Sequence, residues 1–352
     1  MEGRIENVDI GLPEFDDRLD LWRISLLATH NGREPVAELR VAEATGEVVF
    51  STNLALVAER AERAGADRGG RTASSIAFSP LESRIALGDA VDVLGDYPRD
   101  SVQMVFTSPP YFNAKPECHE SVGYAEYLDL LQAVFDKCHA VLSEGRFLIV
   151  NTSPVLIRRA HRQASSRRVP ITFDIHRLLD DIGFDFIDDI IWQKPEGAGW
   201  HLGRGRRFAA DRQPLQYKAV TVTENVTVYR KRTDKLIDWN IRHHPDQDAA
   251  ERSRIADGYE RTNIWRIRPA SHKRHPAVFP DALAERVIRY YSFRGDMVLD
   301  PFAGTGTTGR VAHALGRRFT LIEKSPDYFD ALRADLQAIP AIVSYDHAAS
   351  AL

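Results

Sequence analysis

The chain has 352 residues, of which 43% are hydrophobic and 27% charged, and its formal net charge is −4. This length suits one large α/β domain with additions. No apolar run approaches about 20 residues, so we expect no membrane-spanning helix. Two cysteines, Cys118 and Cys138, exclude a disulfide framework and lack metal-ligand spacing. With no signal-like N-terminus, these features predict a cytoplasmic protein.

Residues 1 to 72 are predicted to form a separate N-terminal extension, to which we assign no role. Strand-like segments lie between Leu21 and Phe50, and Leu54 to Ala64 has a helical pattern. A linker rich in glycine and serine follows at Gly65 to Ser75.

The next region contains the most informative motif of the chain. The apolar run Gln103 to Phe106 predicts a short buried strand, and Thr107-Ser108-Pro109-Pro110-Tyr111 follows it directly. Two prolines make this loop rigid and remove two N–H donors, so the local backbone is rich in acceptors. An acceptor-rich loop beside an aromatic ring suits the NH2 group of a nucleobase. The alternative is a proline turn that only closes the strand.

Helices and strands alternate along the rest of the chain, which predicts an α/β fold with a parallel, doubly wound sheet. Gly145 is expected to end the first long helix. The predicted helices cover Tyr124 to Leu142, Ile171 to Leu179 and Pro280 to Phe293, and the predicted strands lie at Ile85, Val105, Phe147, Phe184, Val226, Val298 and Phe319.

A second motif begins in the strand at Val298. The sequence Asp300-Pro301-Phe302-Ala303-Gly304-Thr305-Gly306-Thr307 places a glycine-rich turn between that strand and a helix. Such a turn lets the backbone approach a ligand closely, and the helix N-terminus offers free N–H groups. Glu323 follows the next strand, where a carboxylate can accept hydrogen bonds from ribose hydroxyls. Alone, this motif would indicate NAD at least as strongly as any other nucleotide.

Together the two motifs resemble those of the DNA amino-methyltransferases, which methylate exocyclic amines with S-adenosylmethionine as methyl donor. In that family an (S/D/N)-P-P-(Y/F) motif holds the target amine, and the glycine motif binds the donor. The catalytic motif, Ser108 to Tyr111, precedes the donor motif here, which is the order of the beta class. The resemblance covers about Ser83 to Asp335 and implies a methyltransferase catalytic domain there.

The resemblance implies a circularly permuted class I methyltransferase sheet, which is Rossmann-like. Its strand order would be 3-2-1-4-5-7-6, with the last strand antiparallel. The strands at Val298 and Phe319 would be the first and second of this order. Those from Ile85 to Val226 would be the third to seventh. Donor site and catalytic loop would then share one edge of the sheet.

The resemblance also assigns roles to individual residues. Ser108, Pro109, Pro110 and Tyr111 are the catalytic positions, and Tyr111 and Tyr229 would line the pocket for a flipped base. The donor-binding positions are Asp89, Asp300, Phe302, Gly304, Thr305, Gly306, Thr307, Glu323, His275 and Pro276.

Asp89 and Tyr229 have particular alternatives, and that of Tyr229 is an aromatic side chain in the core of its strand. Asp89 would accept a hydrogen bond from the donor's adenine, and the alternative is a helix N-cap. In many relatives the strand of Tyr229 opens with His-Glu. Here it opens with Thr223-Glu224, so we assign no catalytic role to that position.

The distribution of charge is consistent with a DNA-binding face. Residues 1 to 70 hold 14 acidic and 8 basic side chains, whereas Arg158 to Arg232 holds 15 basic and 9 acidic ones. A DNA-contacting and target-recognition region is predicted over about 195 to 270, with base readout over Arg232 to Arg261. The basic residues expected along the DNA are Lys194, Arg204, Arg206, Arg207 and Arg212.

Serine at the first position of the catalytic motif is the usual mark of cytosine-N4 enzymes in this family. We therefore expect a cytosine-N4 DNA methyltransferase that acts on double-stranded DNA, with a restriction endonuclease partner and a homodimer left open. An adenine-N6 enzyme is the first alternative. An NAD-binding oxidoreductase or a non-catalytic nucleotide-binding module is the second alternative. Only one clear strand follows the glycine motif, which argues against NAD because a dinucleotide needs a second nucleotide-binding half.

The histidines show no metal pattern, and no metal is expected.

Overall fold

The computed structural model describes residues 8–10, 13–16, 21–28, 35–51, 78–112, 123–157, 167–196, 214–215, 221–270 and 278–345. The chain divides into two compact units, Met1–Ser75 and Ile76–Leu352. The predicted helix at Leu54 to Ala64 lies outside the described residues. No helix in the described ranges is long and apolar enough to cross a membrane.

Within its described residues, the first unit is an antiparallel sheet. Its strands are β1 (Val8–Ile10), β2 (Glu14–Asp16), β3 (Leu21–Ala28), β4 (Pro35–Ala42) and β5 (Val48–Ser51). Strand β3 pairs with β1, β2 and β4, and β5 pairs with β4. The strand-like segments predicted between Leu21 and Phe50 correspond to β3, β4 and β5.

The second unit contains the predicted alternation of strands and helices. Its helices are α1 (Ala90–Gly95), α2 (Tyr124–Val141), α3 (Ile171–Ile182), α4 (Trp239–Arg242), α5 (Gln247–Arg252), α6 (Asp281–Tyr291), α7 (Thr307–Ala314) and α8 (Pro326–Asp335). Its strands are β6 (Arg84–Leu87), β7 (Val102–Thr107), β8 (Leu142–Thr152), β9 (Val155–Ile157), β10 (Arg167–Val169), β11 (Phe184–Gln193), β12 (Thr223–Lys231), β13 (Ile264–Arg266), β14 (Met297–Asp300), β15 (Arg318–Glu323) and β16 (Ile342–Tyr345).

Nine of the described strands form one sheet in the order β13-β11-β12-β8-β7-β14-β15-β6-β16. The seven strands from β11 to β6 follow the permuted order predicted above. Strand β12 is antiparallel to both β8 and β11, while β7, β14, β15 and β6 run parallel to one another. Strands β13 and β16 are the outermost strands of this sheet and were not predicted. The remaining pair, β9 and β10, forms a separate hairpin-like ladder.

Alternating side chains of the sheet pack into two apolar layers, one on each face. In β7, Phe106 joins the layer that includes α6 and α7, and its neighbour Val105 joins the layer that includes α1, α2 and α3. Every residue of β7 is buried. Burial on both faces explains why Met104, Val105 and Phe106 are consecutive apolar residues rather than part of an alternating pattern.

The prediction that Gly145 ends the first long helix was wrong. Helix α2 ends at Val141, and β8 begins at once at Leu142. The pairing of β8 with β7 shifts between Val102 and Met104, and Gly145 lies in the extra residues with a φ of 68°. The glycine therefore lies in a bulge-like irregularity inside the strand and provides the left-handed backbone that this irregularity needs.

Glycine has a different function at Gly309, in the first turn of α7. A Cβ atom there would lie 2.5 Å from Cδ1 of Leu321 and 3.1 Å from a ring carbon of Phe319, both on β15. The missing side chain lets the helix pack directly against the strand, which keeps the preceding turn at the edge of the sheet.

We therefore expect Gly309→Ala to lower the free energy of unfolding by about 1–3 kcal/mol, because the new methyl group overpacks the interface. Gly95→Ala is the matched control, since its Cβ would meet only Lys137 Nζ at 4.0 Å. The control should stay within about 0.5 kcal/mol of the native protein. Urea unfolding curves measure both values, and equal midpoints for the two variants would contradict this packing role.

Candidate active site

The loops that carry both motifs lie at one edge of the large sheet, formed by the carboxyl ends of its parallel strands. We call this the catalytic edge, after the loop of Ser108, and the edge formed by the other ends of these strands the opposite edge. Asp89 follows β6, Glu323 ends β15, the glycine turn follows β14 and Ser108 follows β7. Strand β12 runs the other way, so its first residues reach the same edge beside the end of β8. Ligands of open α/β sheets bind at this edge.

Asp300 connects the two motifs through its carboxylate. Oδ1 accepts hydrogen bonds from Thr107 Oγ1 at 2.6 Å and from the Phe302 N–H at 3.1 Å, and Oδ2 accepts one from Thr308 Oγ1 at 2.7 Å. The residue is 1% exposed. Predicted as a donor-binding position, Asp300 instead has its side chain turned into the core, where it accepts hydrogen bonds from Thr107, Phe302 and Thr308.

The glycine turn lies against Glu323. Gly304 donates its N–H to Glu323 Oε2 at 2.8 Å, and the Ser325 N–H reaches Oε1 at 2.8 Å. Burial raises the pKa of Glu323 above its ordinary value, although these hydrogen bonds work against the shift. Gly304 has a φ of 54°, a left-handed conformation that favours glycine.

The other predicted donor positions differ in their surroundings. Gly306 has a φ of 81°, and a Cβ there would press on Leu332 of α8 and on Leu336, which follows that helix. The side chains of Thr305 and Thr307 are buried. Phe302 is partly buried against the layer that includes α2. His275 and Pro276 lie outside the described residues.

Asp89 is the N-cap of α1, as its alternative interpretation predicted. Its Oδ1 accepts the Val91 N–H at 2.9 Å, and its Oδ2 pairs with Lys324 Nζ at 2.8 Å. Burial opposes ionisation of this carboxyl, but the Lys324 and Val91 hydrogen bonds outweigh it and lower the pKa of Asp89. A role towards the donor's adenine stays a prediction.

Ser108 follows β7, and its hydroxyl group is hydrogen-bonded to the end of β8. Ser108 Oγ donates to the backbone carbonyl of Asn151 at 3.1 Å. Since a hydroxyl has one proton and two lone pairs, this arrangement leaves Ser108 Oγ as an acceptor. The side chain is partly exposed, whereas Pro109 behind it is buried.

Helix α2 anchors the far side of the catalytic loop. Tyr127 donates its hydroxyl to the Pro110 carbonyl at 2.9 Å. The ring of Phe112 lies 5.2 Å from that of Tyr124 and 5.5 Å from that of Tyr127. The sequence predicted a helix here, but only the fold shows that its tyrosines hold the loop.

A buried carboxylate that the sequence had not assigned lies beside the loop. Glu224, 4% exposed, accepts from the Tyr111 hydroxyl at 3.1 Å and from Asn151 Nδ2 at 2.8 Å, and it forms an ion pair with Lys194. Lys194 also lies over the ring of Trp192, with Nζ 4.6 Å from its centroid. The ammonium of Lys194 is therefore engaged inside the protein, and its role as a contact to DNA phosphates stays a prediction.

Tyr229 does not fit its predicted place in the base pocket. It pairs with Leu148 near the far end of β12 and is 0% exposed. His176 and Phe186 pack around its ring. Because β12 is antiparallel, its first residues and not Tyr229 lie at the catalytic edge.

The segment predicted to read bases begins at the opposite edge of the sheet. Arg230 binds the carbonyls of Gly145, Lys235 and Leu236 near the start of β8. Ser253 Oγ accepts the N–H of Arg294, which precedes β14. This part of the predicted recognition region lies away from Ser108, and the chain returns to the catalytic edge only at β13. The predicted contacts Arg204, Arg206, Arg207 and Arg212 lie outside the described residues.

Comparison with known proteins decides the family. The profile of the N6/N4 DNA methylase family matches residues 102–334, which include both motifs and every strand from β7 to β15. The chain belongs to the DNA methylase family. The alternative of an NAD-binding oxidoreductase is thereby excluded.

Two curated relatives of this DNA methylase are type II methyltransferases. M.BglII of Bacillus subtilis is 26% identical over 70% of this chain and 67% of its own length. M.ScaI of Streptomyces caespitosus is 26% identical over 71% of this chain and 80% of its own length.

Solved structures agree in fold. TTHA0409 of Thermus thermophilus, a DNA modification methylase crystallised with S-adenosyl-L-methionine, is 30% identical over 75% of this chain and 97% of its own, with a TM-score of 0.59. The cytosine-N4-specific PvuII DNA methyltransferase has a TM-score of 0.50 and 20% identity over 74% of this chain and 88% of its own.

The carboxyl group of Asp300 should make the stability of this DNA methylase depend on pH. Complete burial raises the pKa of Asp300 to about 6, although its three hydrogen bonds favour the ionised form. In the unfolded chain the group ionises near pH 3.8, so between about pH 4 and 6 the folded state keeps a proton that the unfolded state has lost.

The Asp300→Asn variant tests this effect, because its amide keeps an oxygen for Thr107 and Phe302 but cannot ionise. As the pH rises from about 4 to 6, the native protein should lose on the order of 3 kcal/mol of unfolding free energy relative to the variant. Urea unfolding at several pH values measures the difference. If the unfolding free energies of the two proteins changed in parallel with pH, the raised pKa of Asp300 would be contradicted.

Proposed function

We propose that this protein transfers a methyl group from S-adenosylmethionine to the exocyclic N4 of cytosine in double-stranded DNA. The observation that carries the proposal is Ser108, held as a hydrogen-bond acceptor at the end of β7, next to the strand that leads into the glycine turn. The type II methyltransferase relatives support a place in a restriction-modification system.

The donor site fits S-adenosylmethionine in two respects. Gly304 has the left-handed backbone that permits close approach of a ligand. Each oxygen of Glu323 accepts one backbone N–H, so the carboxylate keeps lone pairs for ribose hydroxyls. The structural relative TTHA0409 binds this donor, which supports the same donor here.

Bound in this site, S-adenosylmethionine supplies a methyl group that its sulfonium makes electrophilic. The residues of the chain have to prepare the amine, whose lone pair is delocalised into the base. Ser108 Oγ and the Pro109 carbonyl would accept its two N–H bonds and turn the lone pair towards the methyl group. This is orientation and electrostatic stabilisation, and the surplus amine proton leaves to solvent after transfer.

The amine cannot reach the donor from within a duplex, so the base has to be flipped out of the stack. Tyr111 is then the candidate stacking partner, since Tyr229 lies in the core. Serine at position 108 supports cytosine rather than adenine. Nucleoside analysis of DNA methylated by the pure protein distinguishes N4-methylcytosine from N6-methyladenine directly, and the adenine product would overturn the choice of base.

Ser108→Ala should lower the methyl-transfer rate by about 10²–10³-fold, because one acceptor for the reacting amine is removed. Affinity for S-adenosylmethionine should not change, since Ser108 lies outside the glycine turn. Single-turnover assays and calorimetric titration measure the two quantities. Ser143→Ala, at the start of β8 on the opposite edge, is the matched control and should keep full activity. An active Ser108→Ala variant would reduce Ser108 to a loop residue.

Exposed arginines at the catalytic edge are the described candidates for phosphate contacts. Arg266 ends β13, and Arg268 follows it, beside the end of β11. We expect Arg266→Ala with Arg268→Ala to weaken binding to all DNA sequences and to reduce the salt dependence by about one unit per lost phosphate contact. The predicted contacts Arg206 and Arg207 should behave in the same way.

Arg252→Ala with Arg254→Ala is the control for this pair. It removes the same charge from exposed positions beside the opposite edge of the sheet, so its salt slope should match that of the native protein. Fluorescence anisotropy with one duplex at several salt concentrations gives the slopes. Equal slopes for the two double variants would place the DNA on another surface.

A further inference from the structure

Glu224 is a buried carboxylate on which three other elements converge. Its Oε2 accepts both the Tyr111 hydroxyl and the Asn151 amide, and its Oε1 pairs with Lys194. Tyr111 belongs to the catalytic loop, Asn151 to the end of β8, and Lys194 to the residues just after β11. We call these four residues the Glu224 cluster.

Glu224 determines which way the Asn151 amide faces. Nδ2 lies 2.8 Å from Glu224 Oε2 and 3.5 Å from Ser108 Oγ. In the reverse orientation the amide oxygen would face the carboxylate, and two acceptors would repel each other. The backbone of the same Asn151 receives the Ser108 hydroxyl proton. Glu224 is therefore linked to Ser108 through Asn151 and does not contact Ser108 directly.

Lys194 makes this arrangement electrostatically possible. A carboxylate that is 4% exposed needs a cation or several donors, and the Lys194 side chain, itself 15% exposed, supplies the cation. Loss of either partner would leave a buried charge without compensation. Tyr111 completes the cluster, since its hydroxyl holds the ring of the catalytic loop towards β12.

We propose that Glu224 is a positioning residue for methyl transfer, which holds Asn151 and Tyr111 in the geometry that Ser108 needs, with Lys194 as its counter-ion. The proposal rests on the proposed function of Ser108. It assigns Glu224 no contact with the donor, because its described contacts all lie on the catalytic side of the site.

The test compares Glu224→Ala, Glu224→Gln and the double variant Glu224→Gln with Lys194→Met in single-turnover methyl transfer. Glutamine keeps an oxygen for Tyr111 and Asn151, but its NH2 group meets the Lys194 ammonium, so two donors face each other. Both single variants should slow transfer by about 10- to 100-fold. In the double variant that conflict is absent, so its rate should return to within about threefold of the native one. Affinity for S-adenosylmethionine should be unchanged throughout.

Asp296→Asn provides the structural control. Asp296 pairs with Arg146, both side chains are about as buried as Glu224, and the pair lies at the opposite edge of the sheet. This variant should lose stability in urea but keep the native transfer rate per folded molecule. Such a result would separate positioning from stability.

Two results would overturn the proposal. One is a native transfer rate in folded Glu224→Ala, and the other is a double variant as slow as Glu224→Gln. Should Glu224→Ala fail to fold, the second comparison still decides. If Ser108→Ala is inactive while the Glu224 variants are fully active, only this inference fails. If Ser108→Ala is fully active, the proposed function fails first.

Discussion

The carboxylate of Asp300 is the interaction on which the site depends. Because it is almost completely buried, it needs the hydrogen bonds that Thr107, Phe302 and Thr308 provide. One of these donors is the residue before Ser108, and the other two belong to the glycine turn and its helix. These hydrogen bonds inside the core therefore connect the glycine turn to the loop that carries Ser108.

The direction of β12 determines which of its residues support the loop that carries Ser108. An antiparallel strand beside β8 places Glu224 next to Asn151 and Tyr111, whereas a parallel one would have brought its other end there. The opposite edge carries ionic contacts of a structural kind, such as Arg146 with Asp296. Buried ionic contacts therefore stabilise both ends of these strands, with Glu224 and Lys194 at the catalytic edge and Arg146 and Asp296 at the other.

Much of this architecture could be predicted because its signals are local. The apolar run before Ser108, the helical spacing from Tyr124 and the glycine turn after Asp300 each depend on neighbouring residues. The permuted strand order was implied by the resemblance to the beta-class DNA amino-methyltransferases, which the two motifs carry. Gly145 was misread because a glycine after a helical pattern indicates a C-cap as readily as a bulge.

The sequence by itself indicated the family by resemblance and predicted the α/β alternation, the rigid loop at Ser108 and the glycine turn, since rigid loops and sharp turns need particular residues at particular spacings. Only the tertiary structure decided that Tyr229 is core, that Lys194 neutralises Glu224 and that Asp300 faces inward. It also decided which edge of the sheet the residues after Arg232 occupy. Each of these depends on contacts between residues far apart in the chain, and on strand direction, which no local pattern contains.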